Sequence, residues 1–195
     1  MDLVVLSGKG GTGKTTISAA LSELARDVVR VDCDVDASNL YLYYPGENIF
    51  AEDFYGGKVA HIHGDRCTKC GKCKQICRFD AIEDFTIDEL ACEGCGACVL
   101  VCPENAIELE EEKAAKAFIT QLDRGILSRA EMEIGSDGSG LLITLLRKNA
   151  REYCRDEQLT IIDGSPGIGC PVIASVTGSD VALIVTEPTQ SGLAD

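Results

Sequence analysis

Ser7-Gly8-Lys9-Gly10-Gly11-Thr12-Gly13-Lys14-Thr15-Thr16 is the stretch from which the fold is read. It follows the apolar run Leu3-Val4-Val5-Leu6 and opens a helical pattern, so strand, loop and helix come in the order a phosphate-binding loop requires. Gly8, Gly13, Lys14 and Thr15 fit the pattern G-x-x-x-x-G-K-[ST]. In that pattern the glycines let backbone N–H groups close around phosphate oxygens, Lys14 neutralises the β and γ phosphates, and the Thr15 hydroxyl ligates Mg²⁺. The helix N-terminus adds the positive end of its dipole. A Gly-rich turn that binds nothing is the competing reading, and the order of the elements argues against it.

The 195 residues allow one domain with room for a small insertion, and 45% apolar content is enough for a core. No apolar run reaches membrane-spanning length, and the N-terminus enters the first strand without the basic region and cleavage site of a signal peptide. The expected location is the cytoplasm, with no membrane partner. The balance of 18 Lys+Arg against 32 Asp+Glu gives a net charge of −14, the wrong sign for a broad nucleic-acid surface. The 11 cysteines, in a chain without an export signal, read as metal ligands rather than disulfides.

After the loop, the spacing predicts a helix from about Thr16 to Arg26 that buries Ile17, Ala20, Leu21 and Leu24. A second strand, Val28 to Val31, runs into Asp32-Cys33-Asp34-Val35-Asp36. Ligands of a parallel α/β sheet bind beyond the C-terminal strand ends, so these carboxylates are expected beside the phosphate loop. Tyr41 to Lys58 loses the period and reads as a connection whose aromatics pack locally.

An internal repeat follows. Cys67, Cys70, Cys73 and Cys77 have the spacing C-x₂-C-x₂-C-x₃-C, and Cys92, Cys95, Cys98 and Cys102 have it again. That is the bacterial ferredoxin pattern for cubane iron–sulfur clusters, in which the fourth cysteine serves the other cluster. One [4Fe-4S] cluster is then expected on Cys67, Cys70, Cys73 and Cys102, the other on Cys92, Cys95, Cys98 and Cys77. Short β pairs from Val59 to Ile62, Ala81 to Ile87 and Ala106 to Leu109 would wrap them. Zinc is the competing reading, disfavoured by the doubled run. Arg78 stands where Pro103 follows the other fourth cysteine, and a guanidinium near a cluster raises its potential. His61 and His63 read as strand or surface residues, because eight cysteines complete two clusters.

Glu110 to Lys116 reads as a solvated helical or linker face, Ala117 to Thr120 as a strand, and Leu141 to Cys154 as a helix with Ser139 at its N-cap. The Gly-rich loop 135–140 before that helix reads as a flexible connection. Leu159-Thr160-Ile161-Ile162-Asp163 is a buried strand ending in a carboxylate and followed by Gly164-Ser165-Pro166-Gly167, the Walker B arrangement. Asp163 would hold a Mg²⁺ water, and the Gly167 N–H would sense the γ-phosphate. Val181 to Thr186 reads as one more buried strand.

Together these residues resemble the MinD/ParA-like ATPases with a deviant Walker A motif, and more narrowly a branch with an inserted ferredoxin domain. Lys9-Gly10-Gly11-Thr12-Gly13-Lys14-Thr15-Thr16 matches that motif residue for residue. The resemblance implies a doubly wound parallel α/β sheet, with the ATPase in residues 1–58 and 111–195 and a ferredoxin-like α+β insertion in 59–110. It also implies a nucleotide-dependent homodimer in which Lys9 crosses to the partner's phosphates. Asp34 would match the catalytic carboxylate beside the attacking water, supported by Asp32 and Asn39. Cys170 stands at the offset from Asp163 where the nitrogenase iron protein has a cluster cysteine; a small buried residue is the plainer reading. Family members continue beyond the point matched by Leu193, with a segment that reads adenine, so the C-terminal part of the sheet is expected to be missing.

Two functions compete at this level. One is an ATPase whose hydrolysis is coupled to electron delivery or to metal-cofactor assembly in a client protein. The other is a ferredoxin-type electron carrier whose nucleotide domain is a docking platform. Spatial positioning, as in the division and partition members, ranks last.

Overall fold

The computed structural model describes residues 1–25, 27–154 and 158–194. The chain forms two compact units, Met1–Phe54 with Ala115–Asp195, and Tyr55–Ala114. It runs β1 (Asp2–Ser7), α1 (Lys14–Ala25), β2 (Val28–Asp32) and β3 (Glu47–Ile62), which carries it into the second unit. There follow α2 (Lys72–Ile76), β4 (Ile82–Glu83), β5 (Thr86–Ile87) and α3 (Ala97–Val101), before β6 (Ile107–Gln121) leads back. The first unit is completed by β7 (Ile126–Met132), α4 (Gly140–Tyr153), β8 (Leu159–Pro166), α5 (Cys170–Val176), β9 (Val181–Ile184) and α6 (Gln190–Ala194).

The large sheet has the order β3-β6-β7-β2-β8-β1-β9. Pairing is parallel from β7 through β2, β8 and β1 to β9, and antiparallel between β6 and β7. This is an α/β fold with a mostly parallel central sheet. Successive strand residues face opposite sides, and Ile126 and Leu127 accordingly enter two different cores. Ile126 joins Val4, Val29, Val31 and Ile162 under Leu142, Ile143 and Leu146 of α4. Leu127 joins Ala19 of α1, with Leu40, Tyr44 and Leu122. The parallel strands β2 and β8 thus have a helix on each face, which is why Val28 to Asp32 and Thr160 to Ser165 are buried without alternation.

Several expectations are corrected. The buried residues of α1 are Lys14, Ser18, Ala19 and Ser22, while Ala20 is exposed, Ile17 and Leu21 are half-buried and Leu24 is 80% exposed. The loop fixes the helix's rotation: Lys14 must face the strand ends, and a polar stripe follows it inward. The predicted end of that helix, Arg26, lies outside the described residues. Residues 47–58 are not a connection but most of β3, and Glu110 to Lys116 are not helix or linker but part of β6. The predicted pairs at Val59 and Ala106 are the far ends of these strands. β7 had no expectation at all.

The aromatics of 41–58 do not pack locally. Tyr44 stacks under the buried Arg30 guanidinium at 4.2 Å, Phe50 meets Tyr153 of α4 at 5.7 Å, and Tyr41 lies 5.2 Å from the Arg129 guanidinium. β9 is exposed along its whole length, not buried. α4 has the expected cap, with Ser139 Oγ accepting from the Leu142 N–H at 3.2 Å.

The second unit shows the sequence repeat in its backbone. Gly71 and Gly96, at equivalent places before α2 and α3, have φ of 77° and 75°, a left-handed conformation that favours glycine. Lys69 and Gly94 match at 55° and 56°, and Asp80 and Asn105 at 52° and 48°. The core here is small: Ala60, Ile82 and Ile107 around Cys73 and Cys98.

Candidate functional site

The loop between β1 and α1 is open on the side where phosphate would approach. A Cβ added at Gly10, Gly11 or Gly13 would meet no atom within 4 Å. Gly11 and Gly13 have φ of 83° and 92°, which turns successive N–H groups the way an anion-binding nest needs. Gly8, Thr12 and Thr15 are half-buried; Lys9 and Thr16 are exposed. Lys14, by contrast, is only 5% exposed.

Lys14 is held by the strand ends. Its Nζ lies 3.1 Å from Asp34 Oδ2, two residues past β2, and 3.2 Å from Asp163 Oδ1, within β8; the strand expected to end at Asp163 runs on to Pro166. Register makes this possible, since Asp32 pairs with Asp163 across two parallel strands. Ser18, one helical turn past Lys14, also donates to Asp163 Oδ1 at 2.9 Å. Asp163 Oδ2 is buried without a hydrogen-bond partner among the described residues. An orphaned carboxylate oxygen beside the Thr15 turn fits a Mg²⁺-bound water, so the donor set suits the ion. Gly167 donates its N–H to the Ser7 carbonyl at 3.1 Å, which ties the end of β8 to the phosphate loop.

Asp32 does different work from Asp34. It is buried, and its carboxylate accepts from Ser38 Oγ at 2.7 Å, the Leu40 N–H at 3.1 Å and the Asp34 N–H at 3.2 Å. Burial, opposed by the Ser38 and Leu40 bonds and aided by the nearby Asp163 and Asp34 carboxylates, pushes it up to about 7. It organises the turn that presents Asp34. The Asn39 side chain caps the same turn through the Ala37 carbonyl at 2.7 Å. Loop 135–140 is part of this corner rather than a free connection, because the Gly138 N–H donates to Asp36 Oδ1 at 2.7 Å.

Ser18, Ser38 and Gly138 were missed in the sequence. Only Ser18 had a signal there, its i+4 spacing from Lys14. Cys33 is fully buried and its thiol is pushed well above its usual range by that burial. Cys170 is exposed at the start of α5, which corrects the reading of it as a small buried residue.

In the second unit the cysteines sort themselves. One small cavity is lined by Cys67, Cys70 and Cys73 together with Cys102. Another is lined by Cys92, Cys95 and Cys98 together with Cys77. Each set thus takes three thiols from one half and the fourth from the other. Among the described residues, no three Cys, His, Asp or Glu side chains converge as they do around a single metal ion. A cubane asks for wider spacing, since each thiolate bonds a different iron, so the two four-thiol sets fit that group. His63 Nε2 lies 3.4 Å from Glu108 Oε2, and neither histidine lines either cysteine cavity.

Residues 3–179 match the family model described as the CobQ/CobB/MinD/ParA nucleotide binding domain (CbiA). The chain belongs to this family. It is 41% identical over 199 aligned residues to the uncharacterized protein MJ0578 of Methanocaldococcus jannaschii, covering all of this chain and 70% of that one. MJ0579 of the same organism is 28% identical, with 72% of its length covered. A Cyanothece McdA structure in complex with ATP superposes with a TM-score of 0.51 at 17% identity, a likeness of fold alone. That match takes in 99% of this chain, which spans 58% of the McdA chain's length. No helix among the described residues is long and apolar enough to cross a membrane.

Proposed function

We propose that the chain is an ATP-binding and ATP-hydrolysing iron–sulfur protein, in which a nucleotide-driven dimer switch is coupled to electron transfer or to metal-cofactor assembly in a client protein. The observation that carries this reading is the sorting of eight cysteines into two crossed four-thiol cavities in a chain whose phosphate loop is built as described. Residues 59–110 would be the ferredoxin-like insertion, and 1–58 with 111–195 the ATPase.

At the nucleotide site, backbone N–H groups of Gly8 to Thr16 cradle the phosphates, and Lys14 exchanges its carboxylate partners for phosphate oxygens. That exchange frees Asp34 to orient the attacking water and leaves Asp163 and Thr15 to hold Mg²⁺. Lys9, exposed on the loop, reaches the partner's phosphates in the dimer. Two loops carrying Lys9 and Lys14 repel one another until triphosphates lie between them, so ATP binds the closed pair more tightly than the open one. Hydrolysis removes that preference. In the second unit, Cys67, Cys70, Cys73 and Cys102 would hold one [4Fe-4S] cluster and Cys92, Cys95, Cys98 and Cys77 the other, supplying one-electron chemistry.

The test is anaerobic isolation followed by EPR of the dithionite-reduced protein with and without Mg-ATP. Paired cubane signals that shift with nucleotide are expected. Cubane signals indifferent to ATP would favour the carrier with an uncoupled docking domain, and material with neither sulfide nor Mg-ATP affinity would overturn the proposal.

A further inference from the structure

The two cysteine sets are matched in burial. Cys67 and Cys92 are half-buried, Cys70 and Cys95 exposed, Cys73 and Cys98 buried, Cys102 and Cys77 half-buried. Solvent exposure, one determinant of cluster potential, is therefore nearly the same on both sides.

Hydrogen bonding and charge are not. The Lys69 N–H donates to Cys67 Sγ at 3.4 Å, and the Ala106 N–H to Cys102 Sγ at 3.3 Å. Both sulfurs belong to the first set. Among the described residues no such bond is made at the equivalent places of the second, from Gly94 to Cys92 or from Ala81 to Cys77. N–H donors stabilise the extra negative charge that reduction places on the sulfurs, and so raise the potential. Around the first set stand the exposed cations Lys69, Lys72 and Lys74, opposed by Glu104. The repeat puts Gly94, Ala97 and Val99 where those lysines stand, and Glu93 where Thr68 stands. Arg78 follows Cys77 in the chain. Of the residues lining the two cavities, the first set thus has the cation Lys72 beside the carboxylate Glu104, whereas the second has the carboxylate Glu93 and no cation.

We propose that the two clusters sit at unequal potentials, the one on Cys67, Cys70, Cys73 and Cys102 being higher and taking the first electron. This rests on the cluster reading above. The step moves one electron from the reductant to one cluster, with no bond made or broken, and a second electron is needed for the other.

The experiment is a dithionite titration of the anaerobically isolated protein followed by EPR, alongside iron and acid-labile sulfide per chain. Two one-electron waves are expected, separated by at least about tenfold in reduced-to-oxidised ratio, or about 59 mV. Lys72→Glu with Lys74→Glu should lower the upper wave about tenfold and leave the lower in place, whereas Glu93→Lys should raise the lower wave. A full complement of iron and sulfide with a single coincident wave, or lysine reversals that move only the lower wave, overturns the inequality. Absence of sulfide overturns the cluster reading itself, and the inequality with it.

Discussion

The two units solve the same problem, holding polar groups in a protein interior, in opposite ways. In the nucleotide unit, Lys14, Asp32 and Asp163 are buried beside a core of Val4, Val29, Ile143, Leu146 and Ile162 that stands without them. In the cysteine unit, Cys73 and Cys98 are themselves part of the core, with Ala60, Ile82 and Ile107 buried beside them and Ile62, Ile87, Val99 and Leu109 partly buried around them. A large apolar core supplies rigidity that a reactive site can borrow. A core this small gives little burial for a unit of this size, so a group held by the thiols would supply stability too.

The sharpest way to break this comparison is to withhold iron from the thiols proposed to hold it. Anaerobic iron chelation, or Cys98→Ala, should abolish hydrogen-exchange protection across α2, α3, β4 and β5, while α4, β7 and β8 keep theirs. Loss in both units, or in neither, would refute the contrast. Next in size is Lys14→Ala. It should reduce ATP hydrolysis at least about 100-fold, and it should also lower the stability of the nucleotide unit by about 3–5 kcal/mol, because Asp163, 1% exposed at its side chain, loses its counter-charge. Denaturation without nucleotide measures the second effect separately from the first.

Asp32 sharpens the picture through pH. Its pKa is raised from 3.8 to about 7, so the folded state binds a proton there that the unfolded chain has released. The contribution is fully present below pH 3.8 and is lost as pH rises toward 7. Stability of the nucleotide unit should therefore fall over that window by an amount on the order of 4 kcal/mol, and Asp32→Asn should flatten the slope in urea titrations across pH. The smallest effect is Ser139→Ala, which removes the α4 cap and should cost about 1 kcal/mol in the same assay.

Legibility followed the same divide. Residues whose chemistry depends on spacing along the chain were readable: the loop from Gly8 to Thr16, the buried strand that carries Asp163, the α4 cap and the doubled cysteine run. Residues whose placement depends on partners distant in sequence were not. Leu24 has an apolar side chain at helical spacing, yet the loop turns α1 so that Ser18 and Ser22 go inward. The charged stretch Glu110 to Lys116 reads as helix or linker by composition, but it is continuous with Ala117 to Thr120, and the β6 ladder with β7 already engages Ala115 and Lys116.

By itself the sequence determined which atoms can do chemistry, because a nest of N–H groups or a trio of thiols is a local arrangement fixed by a few adjacent residues. Only the tertiary structure decided that Lys14 bridges Asp34 and Asp163, that Ser18 reaches the same Asp163 oxygen, and that loop 135–140 closes on Asp36. Those contacts close across parallel strands and between segments far apart in the chain, where no local rule sets the distance.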